Sequence, residues 1–163
     1  MNPMWHDEFE YRDGLLIRKA RADRSDQWNS RYAGKAAGHL RGDGYIRVRT
    51  NLGKRYAQVV VWEMHFGPAP EGLDVDHTNR DRADNRIGNL RLATRAQNKA
   101  NAPLYRVNKT GAKGVTRTPN GKFQVSIGKY PTQYVGLFET LPDAVAAYEA
   151  AAKKRYGEFG SAK

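Results

Sequence analysis

The sequence predicts an α+β chain built as two small units. Three observations carry that expectation. Short apolar–polar alternations recur between glycine-containing turns, the pattern of small antiparallel sheets. Two segments, one following Thr94 and one following Leu141, show helix-start residues and helical spacing instead. The positive charge is also unevenly spread. The 163 residues carry 28 Lys and Arg against 17 Asp and Glu, a formal net charge of +11. Residues 1–100 hold 18 basic and 13 acidic side chains, whereas the shorter 101–163 holds 10 and 4.

The first stretch reads as a β-meander up to Gly67. Phe9–Tyr11 and Leu15–Ile17 flank Asp13-Gly14, a hairpin turn signal. Residues 18–33 are charged and irregular and read as a loop. A second hairpin spans Gly44–Arg49 and Arg55–Gln58 around Asn51-Leu52-Gly53. In it Ile46 and Val48 alternate with Arg47 and Arg49, giving one apolar and one basic face. Val59–Phe66 reads as a short helix stopped by Gly67-Pro68.

The next stretch reads as strand, loop, strand, helix. Leu73–Asp76 alternates, Thr78–Arg86 is polar, and Asn89–Ala93 alternates again. Thr94 with Gln97 makes a capping-box start for the helix. Residues 102–107, with Pro103, read as a linker. From 108 to 163 three strands are expected near Gly114–Arg117, Phe123–Ile127 and Tyr134–Phe138. Pro119-Asn120-Gly121 and Lys129-Tyr130-Pro131-Thr132 supply the turns. A helix with Pro142 and Asp143 in its first turn and small Ala144, Ala147 and Ala151 would pack on that sheet.

Composition narrows the function. No apolar run approaches the roughly 20 residues needed to span a bilayer, so no membrane partner is expected. The first residues lack an apolar signal core, which points to a cytoplasmic protein. The absence of cysteine excludes disulfides, thiol catalysis and cysteine-held zinc. A pI near 10 points to a polyanion, with nucleic acid foremost.

Asp76-His77 at a strand end, with Asn85, Asn89 and Asn98 downstream, is the segment that carries chemistry. Asp and Asn oxygens are hard ligands that suit magnesium. A neutral histidine beside the ion would deprotonate water for phosphodiester hydrolysis. Each residue also has a plainer reading. An Asp-His pair is commonly a surface hydrogen bond, and asparagines commonly cap turns and helices.

The ordered run Asp76-His77-Thr78-Asn79, Asp84–Arg91 and Thr94–Asn98 resembles the signature of HNH endonucleases of the phage and intron homing type. Upstream, Phe9-Glu10-Tyr11, Gly14, Gly44-Tyr45 and Trp62 extend the resemblance to about residues 8–101. It implies a ββα-metal (His-Me finger) core at 72–100 within an endonuclease domain at 1–101. It also implies that Asp76 and Asn98 hold one divalent ion, magnesium foremost and manganese as the alternative. His77 would be the general base, Asn89 would orient its ring by a hydrogen bond, and Asn85 would brace the loop. Arg86 and Arg95 would contact DNA. One position departs from the pattern. Gln58-Val59 stands where that branch usually has His-Arg.

Residues 108–163 resemble the DNA-binding domain of plant ethylene-response factors. The match rests on Lys113-Gly114-Val115, Gly121-Lys122-Phe123, Gly136-Leu137-Phe138 and Ala147-Tyr148. The resemblance implies a sheet that enters the major groove, with Arg117, Lys122, Gln124, Ser126 and Lys129 facing DNA from one face or its turns. The resulting expectation is a monomeric, phage-encoded endonuclease acting on double-stranded DNA without a small-molecule cofactor. The alternatives are an inactive DNA-binding regulator and a phage nuclease of low specificity.

Overall fold

In the computed structural model, the described residues are 3–102, 104, 108–128 and 131–160, with the side chains of residues 3 and 4 outside the description. The chain divides into two compact units, Met1–Thr94 and Arg95–Lys163.

The first unit opens with a short helix, α1 (Pro3–Glu8), and a hairpin of β1 (Phe9–Arg12) and β2 (Leu15–Arg18). Asp13 (φ 42°) and Gly14 (φ 87°) make the turn, as the Asp-Gly pair predicts. The loop expected over 18–33 instead contains α2 (Asp26–Tyr32), whose first turn is capped by the Ser25 hydroxyl accepting from the Trp28 N–H. No α2 residue is buried, so no apolar periodicity marked the helix.

Next come β3 (His39–Leu40), β4 (Ile46–Thr50) and β5 (Gly53–Tyr56), in spatial order β3-β4-β5. Val48 is buried and Arg49 exposed, which is the alternation the sequence implied. The central helix α3 (Ala57–Phe66) starts two residues earlier than expected and ends at Gly67. It packs on α1, β4, β5 and β6 (Leu73–His77). A 3₁₀ turn, Ile87–Asn89, then leads into β7 (Leu90–Thr94), which pairs antiparallel with β6.

Trp5, Phe9, Leu16, Val48, Val60, Val61 and Met64 form the core with Val75 and Leu90 from the β6–β7 hairpin. Full burial of side chains such as Val60 and Val61 contributes about 1.5–3 kcal/mol each. The hairpin that ends in His77 is therefore fixed to the body of the unit through Val75 and Leu90. Residues 5–8 are held as well. Trp5 is 2% exposed, and the His6 ring lies 3.0 Å from the Met64 carbonyl oxygen.

The second unit contains α4 (Arg95–Asn101), β8 (Val115–Arg117), β9 (Phe123–Ile127), β10 (Gln133–Phe138) and α5 (Leu141–Tyr156). The sheet order is β10-β9-β8, all antiparallel, with α5 packed on it. Thr140 caps α5 by accepting from the Asp143 N–H, Pro142 sits in its first turn, and Gly157 (φ 62°) ends it. Gly114 is required for this packing. A Cβ there would lie 2.3 Å from the Ser126 carbonyl oxygen and 2.4 Å from the Tyr148 ring. The Lys129-Tyr130 part of the expected turn and most of the expected linker lie outside the described residues.

Candidate active site at the end of β6

Asp76 and His77 close β6, opposite Arg91 and Leu90 of β7. Both are buried, at 7% and 2% exposure. Asp76 Oδ2 accepts from Arg91 Nε at 3.2 Å, a short cross-strand ion pair that sets the carboxylate's orientation.

His77 Nε2 lies 3.0 Å from Asn85 Oδ1. Asn85 is 1% exposed, and its amide nitrogen donates to the Ala83 carbonyl at 3.2 Å. That second bond decides which end of the amide faces the ring. An amide oxygen only accepts, so Nε2 carries the ring proton and Nδ1 is the basic nitrogen. The Tyr45 ring stands 6.0 Å from the His77 ring, and Tyr56 stacks at 5.3 Å behind Tyr45. The Arg82 guanidinium lies over the Tyr45 ring, 4.8 Å from its centroid, and donates to the Asp43 carbonyl. The β4–β5 hairpin thus supplies a wall to the imidazole.

The hydrogen bond expected from Asn89 to His77 is made by Asn85 instead. Asn89 is occupied elsewhere. Its Oδ1 accepts from the Asn79 N–H at 3.0 Å, and its amide donates to the Asp84 carbonyl at 2.7 Å. Its main-chain carbonyl accepts from the Thr78 N–H at 2.8 Å. The physical reason is the 3₁₀ turn, which places Asn89 at the mouth of the loop and leaves Asn85 in its interior.

The loop between β6 and β7 is cross-linked. Asp84 accepts from the Asn79 amide at 2.8 Å and pairs with Arg86 through two bonds, 2.8 and 2.7 Å. The Arg86 guanidinium, then its N–H and the Asn79 amide, hold the Asp84 carboxyl well below its ordinary value, while burial opposes them. The same pairing holds the Arg86 guanidinium charged more firmly than usual. Arg86, expected to meet phosphate, is thus half of an ion pair. The first hairpin buttresses the loop from outside. Tyr11 Oη accepts the Ile87 N–H at 3.0 Å, and Gly14 leaves only enough room for a hydrogen against the Arg86 N–H.

The other expected site residues lie as follows. Asn98 is half-buried on α4, and Arg95 begins that helix exposed. Gln124 and Ser126 share the outer face of their sheet with Tyr134 and Leu137. Arg117 faces Phe123 in the register, on the side of Val115 and Val125 that packs α5, so it does not share the face of Gln124. Lys122 is paired with Glu139. Lys129 lies outside the described residues. Gln58, at the departure from the expected pattern, is buried in the first turn of α3, and its Oε1 has no hydrogen-bond partner. His65 packs edge-on against Tyr11 and bonds the Val61 carbonyl, a packing role.

Among the described residues no three His, Cys, Asp or Glu cluster as metal ligands. The donors on offer are hard oxygens, the Asp76 carboxylate foremost, and these suit magnesium or manganese with water completing the shell. At the end of this two-stranded hairpin His77 offers a ring nitrogen with a defined basic role, and Asp76 offers a hard oxygen donor.

Residues 55–100 match the HNH endonuclease family.

The HNH segment runs from β5 through α3 and the β6–β7 hairpin into α4. An uncharacterized HNH endonuclease of Acanthamoeba polyphaga mimivirus is 28% identical over 116 residues, 70% of this chain and 60% of that protein. Protein 3.8 of Escherichia phage T7 is 34% identical over 58 residues, 36% of this chain and 48% of that protein. The chain thus spans about half to three-fifths of the length of these relatives. No solved structure matches the chain significantly.

Sequence reasoning missed three participants. Tyr45, Arg82 and Arg91 reach the site from positions whose signal is ordinary, an aromatic and two arginines on strands and a loop. For Arg91 a strand-pairing argument would have worked, since Asp76 and Arg91 are direct cross-strand partners.

Proposed function

We propose that the protein is a metal-dependent DNA endonuclease of the homing type, phage-encoded, in which the HNH segment cuts and the C-terminal unit binds the DNA site. The observation that carries this reading is the His77–Asn85 bond, which fixes Nε2 as donor and gives Nδ1 the proton-accepting role. His77 Nδ1 takes the proton of the attacking water, the water oxygen bonds to the scissile phosphorus, and the P–O3′ bond breaks, its oxygen taking a proton from solvent to leave 5′-phosphate and 3′-hydroxyl ends. Asp76 and Asn98 are the residues that would hold the divalent ion. When bound, that ion stabilises charge on the phosphoryl and leaving oxygens. Asn85 keeps the ring in its working tautomer, and Tyr45 limits its rotation. The substrate is double-stranded DNA, and one such site per chain makes a nick the expected product.

The test is cleavage of supercoiled plasmid with magnesium or manganese, with EDTA as the stop. His77→Ala is expected to lose activity by about 100-fold or more, the usual share of a general base. Cleavage by that variant at the wild-type rate would remove His77 from its role, and no cleavage with any divalent ion would remove the enzyme reading.

A further inference from the structure

α2 takes no part in the core, yet it carries two aromatic side chains. Trp28 is half-buried and Tyr32 is 42% exposed, with ring centroids 5.3 Å apart. Two guanidinium groups attend the Trp28 ring, Arg18 at 5.5 Å and Arg24 at 5.6 Å. Both are held by neutral oxygens. Arg18 donates to the Arg49 carbonyl at 2.9 Å, and Arg24 donates to Asn51 Oδ1 at 3.0 Å. The nearest carboxylate to Arg24 is Asp23, at 3.8 Å. Neutral oxygens thus fix both guanidinium groups, and the carboxylate beside Arg24 is the exposed Asp23 at the long end of ion-pair range. The buried Glu8 carboxylate below them is satisfied by the Asn51 N–H at 3.0 Å and faces Arg21 at 3.5 Å. With exposed Arg49, these residues line an open groove of about 530 Å³.

The geometry points to this groove as a second DNA contact, in which Arg18, Arg24 and Arg49 hold phosphates while Trp28 and Tyr32 stack on bases or sugars of one strand. It rests on the reading of DNA as substrate, and it shares no residue with the surroundings of His77. Pre-positioned arginines beside partly exposed rings are the chemistry of a nucleic-acid strand, which offers a phosphate and a flat face at every step. Two isolated rings do not make the broad apolar patch that a protein partner would need.

The full chain is titrated with a labelled short duplex and with its single strand, in EDTA so that no cutting occurs, at several salt concentrations. The Trp28→Ala/Tyr32→Ala double variant is expected to bind about 30-fold more weakly or worse, since each of two stacked bases contributes roughly 1–3 kcal/mol. Arg24→Gln is expected to lower the salt slope by about one. Trp28→Phe keeps a ring, so it should retain affinity while losing the DNA-induced change in tryptophan emission. Since no α2 side chain is buried, these variants should fold, and circular dichroism melts check it. Wild-type affinity for both DNA forms in the double variant would overturn the proposal, as would an unchanged emission response in Trp28→Phe. Plasmid cleavage by the wild type reports on the nuclease separately. Weakened binding without any cleavage would leave the groove standing and remove only the nuclease.

Discussion

His77 and Asn85 form a buried pair, Nε2 to Oδ1 at 3.0 Å, across a loop whose ends are the two strands of one hairpin. The pair assigns the ring proton, so its loss should be felt in chemistry before it is felt in binding. Asn85→Ala is expected to lower kcat by about 10- to 100-fold, part of the general-base contribution, with little change in DNA affinity. Single-turnover cleavage and a binding titration in EDTA separate the two. A fall in affinity with kcat unchanged would contradict the assignment.

Asn89→Ala should behave differently. Its bonds close the mouth of the loop, so the variant is expected to lose about 1–3 kcal/mol of stability. Thermal or urea melts measure this. Below the melting transition, its activity should fall less than that of Asn85→Ala. The reverse ranking would return the orienting role to Asn89.

Asp84 makes stability depend on pH. Its carboxyl is depressed from its ordinary 3.8, chiefly by Arg86, so the unfolded chain takes up a proton there before the folded one does. The stabilisation from this group is present above the ordinary carboxylate range and fades as pH falls below it. Melts of wild type and Asp84→Asn should therefore differ at pH 7 and converge in acid. A difference that persists at the acid end would mean that the ion pair is not its source.

Gln58 buries an acceptor without a partner. Gln58→Leu removes that penalty while keeping similar bulk, and stability should rise by about 1–2 kcal/mol with cleavage unchanged. If the variant is stable and cleavage falls, Gln58 takes part in the site.

In the C-terminal sheet the register distinguishes two candidates. Gln124 shares the outer face with Ser126, while Arg117 faces Phe123. Gln124→Ala should weaken DNA binding more than Arg117→Ala does, as read by titration at fixed salt. Equal effects would place the contact along the strand end rather than on the sheet face.

Elements with a strong local signature were legible in the sequence. The Asp13-Gly14 hairpin, the β6–β7 pair, and α5 with Pro142 and Asp143 in its first turn carry their turn or helix-start chemistry in the residues themselves. α2 was not legible, because a helix with no buried face shows no apolar period. Asp76 and His77 were legible as a pair, but their partners were not. Whether Asn85 or Asn89 reaches the imidazole depends on the path of the loop and the 3₁₀ turn, and the spacing of the two asparagines does not reveal that path. Arg91 and Tyr45 act through sheet register and hairpin packing, which become visible only once strands are paired.

The loop between β6 and β7 is tied at both mouth and middle, by Thr78 to Asn89 and by Asn79 to Asp84. Its length is consequently a fixed quantity. Surface loops ordinarily absorb an added or deleted residue at small cost, but here the change would have to be taken up by the strands. A slip of one residue along β6 would turn His77 outward and carry Asp74 and Asp76 to the opposite face. For anyone grafting or re-engineering this chain, the permissive places to insert are therefore elsewhere. The twelve positions from Thr78 to Asn89 behave as a calibrated spacer, whose unit of error is a whole side-chain reversal.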